Sequence, residues 1–297
     1  MGAFHRYLVE EVGEDYADGI ISRREALRRL GLLGVGVGAA TSMLAACARE
    51  RDRAAPSPAP ARSPQQSPAA VPAEDITFSG PEGRELRGAW APAGQPRGGV
   101  LVIHENRGLN DHIRSVAGRF AAAGYSALAI DLLSAEGGTE AVGGDAEAMA
   151  ALNRIPDERF VADMKAGLSE IRRRLPDAEL AVTGFCFGGA MVWLLLDSGE
   201  PRLAAAVPFY GTVPDEPDFS GSRNAAVLAI YAGLDDRVNA SRDEAEAAMR
   251  AAGLTYEVVT FEGADHAFFN DTGMRYNAQA ARQAWTRVLG WFETHLG

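Results

Sequence analysis

From residue 75 onward, short apolar segments alternate with longer segments in which apolar residues recur every three or four positions. The first pattern predicts strands and the second predicts amphipathic helices. Their alternation is typical of an α/β fold, a mostly parallel sheet of about eight strands with helices on both faces. The first two strands are expected to pair as an antiparallel edge. The predicted strands are 75–79, 85–90, 98–104, 126–131, 179–184, 203–209, 225–231 and 254–260, and the predicted helices are 110–123, 142–153, 158–175, 187–198, 240–252 and 275–295.

Three regions follow from composition. Residues 74–297 form one predicted domain, since a chain that is 47% hydrophobic supports one sizeable core. Residues 48–73 are rich in Pro, Ala and Ser, which predicts a disordered linker. Residues 1–47 are the leader.

The leader resembles an export signal. Arg23 and Arg24 precede an apolar run and small residues, which is the order of a twin-arginine signal. Four glycines in the apolar run make a permanent transmembrane anchor the lesser alternative. LAAC at 44–47 resembles a lipobox in which Cys47 is acylated; a chance cysteine is the alternative. The segment of residues 1–21, which precedes the arginines, is longer than a simple export signal needs. It is alternatively interpreted as a small cytosolic helix. We expect an exported protein, lipid-anchored or free outside the cytoplasm.

Charge narrows the list of partners. The formal net charge is −11, which gives no electrostatic footprint for nucleic acid or anionic lipid. Membrane contact is therefore expected only through a lipid on Cys47. The other cysteine, Cys186, lies in so different a context that a disulfide between the two is not expected.

Cys186 stands in the pattern G-x-C-x-G between a predicted strand and a predicted helix. This is the nucleophile-elbow pattern with Cys in place of Ser. The tight turn requires residues without a bulky Cβ on either side, which Gly184 and Gly188 provide. The new helix also points its N-terminal N–H groups at the sulfur, which favours thiolate. The alternative is a small cysteine buried at a strand–helix junction.

A base and an acid follow the nucleophile in this fold. Only His266 lies after a late strand and before the last helix. The acid is either Asp235 or Asp236, which spacing does not separate. Asp265, next to the histidine, is interpreted as a structural or solvent-facing charge.

The loop after strand 98–104 carries His104, Glu105, Asn106 and Arg107. In α/β-hydrolases this loop donates one N–H of the oxyanion hole, and Phe187, after the nucleophile, donates the other. The loop lacks the second histidine of a zinc HExxH helix, so neither a metal nor another cofactor is predicted. Glu105 is either a surface charge or a carboxylate facing Cys186.

Taken together, HENRGLNDHI, GFCFGG, YAGLDDRV and ADHAFFND resemble the dienelactone hydrolase family of α/β-hydrolases. The resemblance implies hydrolysis of a small ester or lactone by a triad of Cys186, Asp235 and His266. It also implies that Glu105 hydrogen-bonds the resting cysteine and that the Asn106 N–H joins the oxyanion hole.

Members of this family bind the substrate carboxylate with arginines that follow the fourth predicted strand and the catalytic histidine. The corresponding stretches here, DLLSAEGG at 131–138 and HAFFND at 266–271, contain no arginine. Arg107 and Arg275 are candidate replacements, and Tyr210 and Phe268 are candidates for the pocket wall. The departure leaves room for a general small-ester carboxylesterase or thioesterase. A third possibility is a tethered binding protein without chemistry, and the oligomeric state is not predicted.

Overall fold

A computed structural model of the protein describes residues 3–51 and 69–297, with side chains from residue 5 to 47 and throughout the second range. The first range contains three helices, α1 (Ala3–Ala17), α2 (Arg23–Leu32) and α3 (Val37–Arg51). Thus α3 continues past the predicted leader boundary at residue 47. Most of the predicted linker lies outside the described residues, and the division into three regions stays a prediction.

The second range forms an eight-stranded sheet in the order β1-β2-β4-β3-β5-β6-β7-β8. At one edge of the sheet β1 pairs with β2 and β2 pairs with β4, and both pairings are antiparallel. All the other pairings are parallel. The predicted α/β class and the antiparallel edge are therefore confirmed. The strands are β1 (Glu74–Ser79), β2 (Glu85–Ala91), β3 (Gly99–Ile103), β4 (Ser126–Asp131), β5 (Leu180–Phe185), β6 (Leu203–Phe209), β7 (Ala226–Ala232) and β8 (Tyr256–Phe261).

Helices cover both faces of the central strands. Every residue of β3, β4, β5 and β7 is buried, and side chains alternate between the two faces of a strand. On one side α4 meets α10 where the Phe120 and Phe292 rings lie 5.6 Å apart, while α6 meets α7 where Phe160 lies 5.4 Å from Phe187. The helices are α4 (Asp111–Ala122), α5 (Asp145–Leu152), α6 (Asp157–Arg174), α7 (Phe187–Asp197), α8 (Asp236–Asn239), α9 (Arg242–Ala252) and α10 (Ala278–His295).

The leader helices pack on one another and on the domain. Leu8 and Val12 of α1 are fully buried, as are Ala26 and Leu30 of α2, and all four join the continuous hydrophobic core. α2 contacts α5. In the part of the chain that is described, every helix is too short or too polar to cross a membrane.

Candidate active site

The predicted site residues converge at one edge of the sheet. Glu105 follows β3, Cys186 follows β5, Asp235 follows β7 and His266 follows β8. These four strands are parallel, so their carboxyl ends lie together, where ligands of open α/β sheets bind. All four side chains are buried.

Cys186 lies on a strained turn. Its φ of 58° is in the left-handed region, and Phe187 is the first residue of α7. A Cβ at Gly184 would lie less than 3.0 Å from the backbone of Gly188, and a Cβ at Gly188 less than 3.0 Å from the carbonyl oxygen of Ile103. The two glycines therefore permit the backbone approach that the elbow needs, as the motif indicated.

His266 is oriented by Asp235. Its Nδ1 lies 2.5 Å from Asp235 Oδ2, and the other oxygen of this carboxylate accepts the Val238 N–H at 3.1 Å. Asp236 is exposed in the first turn of α8. Asp265 accepts the backbone N–H of His266 at 2.7 Å, away from the ring. The structure thus separates the two acids that spacing left equivalent.

Charge pairing dominates the histidine and its acid. Burial lowers the pKa of His266, but the Asp235 carboxylate and the Cys186 sulfur outweigh burial and hold the pKa well above its usual value. Burial also acts on Asp235, upward, yet the His266 ring holds the pKa of this carboxyl below its usual value. Asp235 therefore makes the His266 ring a stronger base, which favours proton transfer from the neighbouring thiol to the ring.

The nucleophile's nearest polar partners come from the leader. Tyr7 Oη lies 3.1 Å from Cys186 Sγ, and the thiol donates to Glu11 Oε1 at 3.3 Å. The same Glu11 oxygen accepts the Asn106 side-chain amide at 2.8 Å. Burial raises the pKa of Cys186, the Glu11 carboxylate raises it further, and His266 acts in the opposite direction. In this arrangement the sulfur is held as the thiol.

One expected contact is therefore corrected. The resemblance implied that Glu105 hydrogen-bonds the resting cysteine, but Glu105 Oε2 accepts the Asn270 amide at 2.7 Å, and Glu11 takes the place beside the sulfur. Glu105 is buried at the cavity wall and is no surface charge. The physical reason is that α1 brings its own carboxylate within reach of the thiol.

The four residues predicted to contact substrate lie at different distances from the cavity. Arg107 lines the cavity, with Nε 3.5 Å from Asp145. Arg275 also lines it, but its guanidinium pairs with Asp15 of the leader at 3.0 Å. The Tyr210 ring is 5.1 Å from the His266 ring, and its φ of 36° is another strained backbone at this edge. Phe268 and Tyr210, whose rings lie 5.4 Å apart, are both buried outside the set of cavity-lining residues, which corrects the placement of both on the pocket wall.

Several residues at the site were not predicted from the sequence, among them Tyr7, Glu11, Asn270 and Arg237. The Arg237 guanidinium lies 4.4 Å from the Tyr7 ring centre, and its Nε lies 3.0 Å from Glu14. A signal existed for the leader, since its acidic residues at 11, 14, 15 and 18 have the three- and four-residue spacing of one helix face. That face is the one turned toward the catalytic edge.

The metal-binding capacity of the described residues is confined to one cluster. Ligand atoms of Glu11, Cys186 and His266 lie within 4.8 Å of one another, a spacing that a cation can bridge. A nucleophile and its base need the same spacing, so the cluster has an explanation without an ion. His104, in the HExxG segment, binds backbone groups instead: Nδ1 contacts the Glu105 carbonyl at 2.6 Å and Nε2 accepts the Leu132 N–H at 3.2 Å.

The cavity at the nucleophile is small. Its volume is about 50 Å³, and leader residues Glu11, Asp15 and Ile20 form part of its wall. A larger open groove of about 1070 Å³ runs between the edge strand β8 and α10, far from Cys186. Cys186 and His266 line the smaller cavity, whereas the groove along β8 has neither a cysteine nor a serine among its lining residues.

Comparison with known proteins identifies the family of the domain. The sequence profile of the Dienelactone hydrolase family matches residues 88–296. A predicted carboxymethylenebutenolidase of Escherichia coli O157:H7 is 34% identical over 210 residues, which cover 67% of this chain and 77% of that protein. One from Methylorubrum extorquens is 31% identical over 220 residues, covering 70% and 75%.

Solved structures agree. A predicted dienelactone hydrolase from Klebsiella pneumoniae superposes with a TM-score of 0.65 at 31% identity, covering 74% of this chain and 98% of that one. A dienelactone hydrolase-like promiscuous phosphotriesterase from metagenomic libraries gives a TM-score of 0.63 at 26% identity, covering 77% and 100%. About three quarters of this chain therefore suffices for the complete fold of these relatives.

Proposed function

Because the chain belongs to the dienelactone hydrolase family of α/β-hydrolases, we propose that it hydrolyses a small carboxylic ester or lactone with Cys186, His266 and Asp235 as its triad. The observation that carries the proposal is the position of His266. Its Nδ1 lies 2.5 Å from Asp235, which fixes the ring. A ring nitrogen of His266 also lies within 4.8 Å of Cys186 Sγ.

The proposed reaction has two acyl-transfer steps. The Cys186 proton passes to His266, and the sulfur attacks the acyl carbon to form a thioester while the alcohol leaves with the proton from the imidazolium. Water then loses a proton to His266, attacks the thioester and releases the acid and the thiol. Asp235 holds the tautomer that presents Nε2, an atom that has no hydrogen-bond partner among the described residues.

The negative charge that develops on the acyl oxygen needs donors at the elbow. We assign this role to the backbone N–H groups of Phe187, at the N-terminus of α7, and Asn106, in the loop after β3. Glu105 lies close enough to influence Cys186 through its charge. It is proposed to take part in generating thiolate once substrate enters.

The test uses the full chain with a site-specific protease sequence placed within residues 52–68, so that activity is measured before and after the leader is cut free. A panel of p-nitrophenyl esters, a neutral lactone and a dienelactone covers the substrate class. Cys186→Ala is expected to lose most of a rate enhancement that is on the order of 10⁶ in this chemistry. Equal hydrolysis by wild type and variant contradicts the triad, and tight ligand binding without turnover supports the binding-protein alternative.

Export is proposed as well, from the sequence of the leader. Ser22 caps α2 and leaves Arg23 and Arg24 exposed at its start, and Cys47 is half-buried in α3. Replacing both arginines with lysine is expected to keep the protein in the cytoplasm, as cell fractionation measures. Cys47→Ser is expected to remove the lipid, which labelled fatty acid detects; unchanged distribution in both variants contradicts the proposal.

A further inference from the structure

Helix α1 closes the entrance to the nucleophile with polar groups. Tyr7 and Glu11 both contact Cys186 Sγ, at 3.1 and 3.3 Å, and Glu11 also binds the Asn106 amide. Tyr7 and Glu11 are 3% and 5% exposed, so this contact is closed to solvent. An incoming acyl group needs the space that these two side chains fill.

Two arginines of the domain hold the same helix by charge. Arg237 lies against the Tyr7 ring and Glu14, and Arg275 pairs with Asp15 at 3.0 Å and with Asp18. The Arg237 and Arg275 side chains are 9% and 10% exposed. Such shielded ion pairs are screened by salt much less than surface pairs. The acidic face of α1 is therefore complementary to the active-site face of the domain.

The other leader helices brace α1. Arg29 of α2 is 3.7 Å from Asp15, and Arg28 pairs with Glu147 of α5. Leu8 and Val12 on α1 are buried in the core that the leader and domain share. The leader thus docks as a three-helix unit, and α1 is the part that reaches the nucleophile.

The space left beside Cys186 is too small for an ester substrate. Ligand pockets for small molecules usually measure 300–1,000 Å³. The cavity here is about 50 Å³, enough for solvent only. Substrate access therefore requires α1 to move away.

We propose that residues 3–51 are an intramolecular inhibitor, and that the active-site face of the domain is a docking surface for the acidic face of α1. The intact chain is latent, and activity appears when the leader is displaced or cut away. Processing before Cys47 would release α1 and α2 in this way. The inference rests on the proposed hydrolase function for its activity readout, but the reactivity of Cys186 reports the closure independently.

The competing interpretation is that Tyr7 and Glu11 belong to the working active site. Two observations favour inhibition. The family profile matches residues 88–296, and 74% of this chain aligns with 98% of the Klebsiella pneumoniae structure. In addition, Tyr7 and Glu11 fill the space beside Cys186 that an acyl group needs, and the cavity left there measures only about 50 Å³.

The first experiment opens the leader in the full chain. The variant Tyr7→Ala/Glu11→Ala removes both contacts with the sulfur, and Arg6→Ala/Glu10→Ala changes two exposed side chains of the same helix as a matched control. Iodoacetamide labelling of Cys186 is followed by peptide mass spectrometry, which separates it from Cys47. The opened variant is expected to react faster by on the order of tenfold or more, because apparent reactivity scales with the open fraction.

The second experiment cuts the chain at the protease site within residues 52–68 and separates the leader from the domain by gel filtration. Cys186 labelling and ester hydrolysis are both expected to rise, and adding the purified leader back is expected to suppress both. Faster labelling with no hydrolysis in any form supports closure and contradicts the proposed function. Unchanged labelling in both experiments overturns closure, and lower activity in the opened variant makes α1 part of the working site.

Discussion

The catalytic domain and the leader are held in place by different forces. The central strands of the domain are buried along their whole length, so their position depends on apolar burial that no single contact controls. Where the leader reaches the catalytic edge, its contacts are a thiol, an amide and two guanidinium groups. The strands are therefore fixed by folding, whereas the leader adds to its own buried apolar residues a set of polar contacts at the active site that a few substitutions can remove.

The largest expected effect tests the chemistry of the domain. In the protein cut at the linker, Asp235→Asn should lower kcat by about 10⁴, because an amide orients the wrong tautomer of the histidine. The control is Asp236→Asn, an exposed carboxylate next in sequence, which should change kcat by less than about tenfold. Steady-state kinetics on a p-nitrophenyl ester measures both. Equal losses in the two variants contradict the assignment of Asp235.

The next effect compares how tightly the two regions are packed. Gly188→Ala places a Cβ against the Ile103 carbonyl, so the domain should lose at least about 1–3 kcal/mol of unfolding free energy. Gly13→Ala, in α1, places a Cβ 2.6 Å from the flexible end of Met43 and 3.4 Å from Cys47 Sγ and gains helix propensity, so its effect should remain within about 1 kcal/mol. Urea unfolding followed by circular dichroism measures both. If Gly13→Ala lowers the unfolding free energy more than Gly188→Ala does, the domain is not the more tightly packed of the two regions.

The third effect concerns the charge that the leader brings to the thiol. Glu11→Gln keeps the shape of α1 but removes a carboxylate that raises the pKa of Cys186. The folded pKa should therefore fall, and the pH profile of iodoacetamide labelling should move to lower pH, with more thiolate at any pH below the original midpoint. Glu10→Gln, an exposed neighbour, should leave the profile in place. The other groups that act on the thiol, Tyr7, Glu105 and His266, are unchanged in both variants.

Much of the domain was predictable because its signals are local. No strand boundary differs from the prediction by more than two residues, and no predicted helix boundary by more than three. Buried strands are continuous apolar runs, and the glycines around Cys186 reflect backbone contacts within the turn itself. The three residues of the proposed triad were identified for the same reason, because each follows a predicted strand.

The docking of the leader was not predictable in the same way. Tyr7 and Glu11 reach a residue more than 170 positions away, and no local pattern specifies such a contact. The choice between Asp235 and Asp236 was also open, since both follow the same strand and only the direction of a side chain separates them. Glu105 was placed beside the cysteine by resemblance, and Glu11 of α1 lies in that place instead.

The smallest expected effect compares the contact of α2 with α5 and the contact of α1 with the nucleophile. Arg28 and Glu147 join α2 to α5, but their side chains are 47% and 36% exposed. An exposed pair contributes at most about 1 kcal/mol, and salt weakens it. Glu147→Gln should therefore raise Cys186 labelling by about twofold at most, and less in high salt. If it opens the site as fully as Tyr7→Ala/Glu11→Ala, the leader is held through α2, and the contacts of α1 with the nucleophile follow from that docking.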